Sequence, residues 1–68
     1  MTPETALAAF TRCLREVNQV RFEAIETNSA PMHELADRLA EMIGPRVALA
    51  AFCWEAHERA LRRLGGER

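Results

Sequence analysis

Cys53 and His57 lie four residues apart, so a helix would carry a thiol and an imidazole one turn from each other, a spacing that metal ligands use. Cys13 and His33 are the remaining thiol and imidazole that could complete such a site. The pattern stops there. No compact Cys-x-x-Cys pair exists, and Cys13 falls on an apolar stripe, where cysteine acts as a small hydrophobe. A helical di-metal centre needs inward glutamates joined to Glu-x-x-His pairs. Glu23 and Glu26, and Glu55 and Glu58, supply the acids, but no Glu-x-x-His occurs. His57 therefore reads as a hydrogen-bonded core or interface residue. Glycine-rich phosphate loops are absent as well. No catalytic, cofactor-binding or metal residue is assigned, and the chain is not expected to be an enzyme.

The segment Ala40-Glu-Met-Ile-Gly44 has a small residue followed four positions later by glycine, as many helix-turn-helix motifs do. The recognition helix would then be Arg46 to Cys53, which offers one cation and almost no donors for base edges. Readout and phosphate contact need several of each. A small DNA-binding regulator is thus the second reading, and a metal-binding helical protein the third. Nucleic acid is not an expected partner.

These side chains must be held by a small scaffold. Sixty-eight residues make one domain, 1–68, near the lower size limit for unaided stability. A core of this size rarely supplies more than about 3–5 kcal/mol, and oligomerisation is a common supplement. Twelve alanines favour helix and allow close helix approach. The formal net charge of −1 gives no bias toward polyanions. All nine basic residues are arginine, a bias that a GC-rich genome explains first, and that would also suit interface ion pairs. The start Met1-Thr2-Pro3-Glu4 lacks a basic region followed by an apolar one, and the apolar run Val47 to Trp54 is too short to span a bilayer. A cytoplasmic protein with reduced thiols and no membrane contact is expected.

Thr2-Pro3-Glu4 reads as a helix start, with a capping hydroxyl, proline at the first helical position and an early acid. Leu7, Phe10, Leu14, Val17, Arg21 and Ala24 follow at spacings of three and four, so a helix over about 3–27 is expected. Thr27 to Pro31 is a break, a second helix covers 31–43, and Gly44-Pro45 interrupts it. A third helix covers 45–64 before Gly65-Gly66, and Glu34–Arg38, Glu55–Arg59 and Glu58–Arg62 are favourable i,i+4 pairs.

Two seven-residue series run across Gly44-Pro45 without a phase change: Ala36, Ile43, Ala50, His57, Leu64, and Ala40, Val47, Trp54, Leu61. The fold expected is therefore all-α: a helical hairpin whose second arm is kinked at Gly44-Pro45, pairing as a dimeric bundle. A compact three-helix bundle is the alternative.

The third helix is apolar nearly all round. Val47, Ala50, Trp54, His57, Leu61 and Leu64 share one side, read as the core face. Phe52 points the other way with Leu49 and Ala56, bordered by Arg59 and Arg63, and Phe22 falls off the main stripe of the first helix. Left uncovered, this second face is an association patch. Phe22, Leu49, Phe52, Ala56, Arg59 and Arg63 are the expected partner-binding residues. The function expected is non-catalytic protein–protein binding, as an adaptor, inhibitor or assembly subunit. The expected partner is a second copy of the chain, with a further, unidentified protein as a candidate.

Overall fold

The computed structural model describes residues 2–66; Met1, Glu67 and Arg68 lie outside the described residues. It is all-helical: α1 spans Pro3–Thr27, α2 Ala30–Ile43 and α3 Pro45–Gly66. No strand occurs among the described residues.

Local chemistry sets each helix end. The Thr2 hydroxyl accepts from the Thr5 amide at 3.1 Å, and Pro3 stands at the first helical position, where no donor is needed. α1 stops because Asn28 turns left-handed at φ 51°, a conformation asparagine tolerates. The Ser29 amide then donates back to the Ala24 carbonyl at 3.0 Å. Ser29 in turn caps α2, its hydroxyl accepting from the Met32 amide at 3.3 Å. The connection is shorter than the sequence suggested. Pro31 lies inside the first turn of α2, where a missing N–H costs nothing, so only Asn28 and Ser29 separate the helices.

Gly44 alone separates α2 from α3. Its φ of 122° is open to glycine and strained for other residues, and its ψ of 115° is the extended value favoured before proline. The Gly44 amide still donates to the Ala40 carbonyl, and its carbonyl accepts from Ala48, both at 2.9 Å. A single residue thus ends one helix and starts the next, its amide and carbonyl both hydrogen-bonded. Residues 31–64 form two helices parted at Gly44, each of them packed on α1. α3 also runs through Gly65 to Gly66, past the end expected at Leu64.

Each helix packs against the other two, an arrangement compatible with a three-helix bundle. The packing is shallow. Among the described residues the buried apolar ones are Val17, Ala24, Ala36 and Ala48, and no large side chain is fully buried. Alanine brings helix axes close but contributes little apolar area. The molecule is accordingly a slab of 41 × 32 × 16 Å, with a radius of gyration of 13.4 Å. A compact chain of this length has a radius near 11 Å.

The conformation of Gly44 leads to a stability test. A Cβ there would meet only Val47 Cγ2, at 3.9 Å, so space is available and backbone strain alone opposes a side chain. Gly44→Ala is expected to destabilise the fold by about 1–3 kcal/mol. Gly65→Ala, in helical backbone with open space around it, should be neutral or mildly stabilising. Thermal unfolding followed by circular dichroism, at one fixed protein concentration, compares the two.

Candidate protein interface

α1 presents two neighbouring faces. Val17 and Ala24 are buried on one, and Asn18 and Phe22, one turn apart, look toward α3 from the other. Asn18 is the buried polar residue, 3% exposed. Its amide nitrogen donates to the Ala51 carbonyl at 3.3 Å and to Glu55 Oε1 at 2.9 Å. The second oxygen of Glu55 lies 3.7 Å from Arg59 Nε, the i,i+4 pair read from the sequence. Arg59 also reaches Gln19 Oε1 at 3.2 Å, and its guanidinium carbon sits 3.7 Å over the Phe22 ring. Phe22 stacks on Phe52 with centroids 4.8 Å apart and planes 30° from parallel. A continuous chain of contacts, Asn18–Glu55–Arg59–Phe22–Phe52, therefore locks α3 across α1.

A second polar link fixes α2. Arg21 donates to Asp37 and, at 2.8 Å, meets His33 Nδ1. Arginine has no acceptor, so Nδ1 of His33 accepts and its proton sits on Nε2.

The six residues expected to bind a partner separate in this framework. Phe22, Phe52 and Arg59 are brought together, half-buried, in contact with one another inside the chain. Ala56 is half-buried, whereas Leu49 and Arg63 are exposed. Leu49 and Phe52 border a groove of about 540 Å3 whose other walls include Val17, Ala36 and Ala40.

The side of α3 read as the core face is the one left open. Trp54 is 66% exposed, and Val47, Leu61 and Leu64 are exposed too, as is His57, whose ring lies 6.4 Å from that of Trp54. Leu7 and Phe10 of α1 are likewise uncovered. A groove of about 490 Å3 runs between the two helices, lined by Thr11 and Leu14 on α1 and by Val47, Ala50 and Trp54 on α3. Within the chain it is the Phe52 side of α3 that packs on α1, while the Trp54 side and Leu49 stay exposed. Trp54 is the larger ring, but Phe52 has the partners. The seven-residue spacing on the open side was the sequence signal for a helix-packing seam.

The groups considered for metal chemistry do not converge. Among the described residues no three His, Cys, Asp or Glu side chains are placed to hold an ion. Cys13 and Cys53 are free and exposed. No helix among the described residues is long and apolar enough to cross a membrane. The chain matches no protein-family model, no curated protein and no solved structure in sequence or fold comparison.

The stacked pair makes a direct prediction about which aromatic residue holds the monomer together. Phe52→Ala should cost about 1.5–3 kcal/mol, less than a fully buried ring, and Phe22→Ala a similar amount. In a double-mutant cycle the two should couple by about 0.5–1.5 kcal/mol, the worth of an aromatic pair beyond its area. Urea unfolding of the four proteins measures this, and additive effects would show that the rings do not interact.

Proposed function

We propose that this chain is a non-catalytic protein-binding subunit, an adaptor, inhibitor or assembly component, that works as a homodimer. The surface area carries the reading. The chain exposes 5469 Å2, whereas a compact protein of 7.7 kDa exposes about 4,300 Å2. The surplus is about 1,100 Å2, more than the roughly 800 Å2 that each partner contributes to a stable protein–protein interface. Much of what is exposed is apolar and large: Leu7, Phe10, Ile25, Val47, Leu49, Trp54, Leu61 and Leu64 on α1 and α3 alone. Soluble chains cover patches of this kind with another chain. Pairing as a helical bundle would give the small alanine-rich core the second apolar layer it lacks.

The nearly neutral charge supports protein as the partner, since polyanion binding draws on a cationic field. Exposed arginines on α3, with Arg63 at its end, could rim a contact with a further protein while its centre stays apolar.

Light scattering coupled to size exclusion tests the proposal. The expected mass at micromolar concentration is twice the 7.7 kDa of one chain. Helicity and thermal stability should both rise with concentration, because dimerisation and folding are linked. A well-folded monomer persisting at several hundred micromolar would overturn the reading.

A further inference from the structure

The exposed side of α3 has an internal order that single hydrophobic residues on a surface lack. Val47, Ala50, Trp54, His57, Leu61 and Leu64 alternate at spacings of three and four. That is the a and d pattern of a coiled-coil seam, carried through nearly the whole helix. Among the described residues it is only flanked by α1, and Val47, Trp54, Leu61 and Leu64 stay exposed. α3 uses its other side, Ala48, Phe52, Glu55 and Arg59, for α1 and α2.

We propose that this seam is the homodimer contact and that two copies of α3 pair along it antiparallel, about a two-fold axis passing between Glu55 and Ala56. The proposal rests on the homodimer reading above and deepens it. Three observations select this occupant and this direction. The surplus surface matches what one partner of a stable dimer buries. The order of side chains is complementary to itself when reversed: Val47 meets the partner's Leu64, Ala50 the partner's Leu61, and Trp54 the partner's His57. Each layer then joins a smaller residue to a larger one. A parallel pair would instead set Trp54 on its own copy next to a layer of two alanines, overfilling one level and leaving a void at the next. Finally, the flanking positions raise no charge conflict. Glu58 would lie beside the partner's Ala51, and Cys53 beside the partner's Ala60.

The groove between α1 and α3 extends the seam, with Thr11 and Leu14 beside Val47, Ala50 and Trp54. The partner's α3 would settle into it, covering apolar surface on both helices. The contact would then have four-helix character, with the helices near-antiparallel.

Trp54 is the one tryptophan, so its emission reports on this seam without labelling. On concentrating the wild-type protein the emission should move to the blue as the indole leaves water. Trp54→Glu should weaken self-association at least about 100-fold, since it removes a central aromatic anchor and inserts a charge. Monomer helicity should be retained, because the ring is exposed in the single chain. Direction is read by mild oxidation in a Cys13→Ala, Cys53→Ala background. Ala50→Cys with Leu61→Cys should give a covalent dimer, while Ala50→Cys alone should not. In the antiparallel pair two copies of position 50 stand about 16 Å apart, eleven residues at 1.5 Å each, beyond the reach of a disulfide. A covalent dimer from Ala50→Cys alone would overturn the antiparallel pairing. A Trp54→Glu protein that stays fully dimeric would overturn the seam while leaving the homodimer reading intact. A wild-type monomer would remove both.

Discussion

The position of α3 depends on one buried amide. Asn18 sits between α1 and α3 at 3% exposure, and a buried amide without partners would cost about 1–3 kcal/mol, comparable to the worth of one of the aromatic rings beside it. Its two donor contacts are both on α3, the Ala51 carbonyl and Glu55. Sliding α3 by one turn would separate Asn18 from both. Turning α3 to bury Trp54 would carry Glu55 away from Asn18. The amide and its carboxylate therefore select the face of α3 that turns inward, and the apolar groups follow. Arg59 illustrates how. Held by Glu55 and Gln19, its guanidinium sits over the Phe22 ring, which stacks on Phe52.

This arrangement explains how so small a core holds its shape while leaving so much apolar surface outside. Val17, Ala24, Ala36 and Ala48 bring the helices close but contribute little area. Polar links set the register instead: Asn18 to α3, and Arg21 to His33 and Asp37 on α2. Hydrogen bonds specify geometry more than they stabilise it. A chain organised this way leaves large residues such as Trp54, Leu61 and Leu64 exposed on its surface. The seven-residue spacing on α3 is the a/d pattern by which one helix packs along another, and it is this regularity that the proposed pairing uses.

The sequence by itself determined the elements. Thr2-Pro3, Asn28-Ser29 and Gly44-Pro45 are local signals whose effect depends on backbone and neighbouring atoms, so the helix ends could be read to within a residue or two. The Glu55–Arg59 pair was legible for the same reason. The apolar character of both sides of α3 was also legible. Only the tertiary structure decided which side faces inward. Hydrophobicity alone cannot rank two apolar faces of one helix, since burying either removes a similar area from water. The choice came from a contact thirty-seven positions apart in sequence, Asn18 with Glu55, and Asn18 looked like any polar residue at the edge of a stripe. The same limit applies at Gly44. Its phase-preserving series allowed a continuous arm, and only the tertiary structure shows two helices parted there at a φ of 122°.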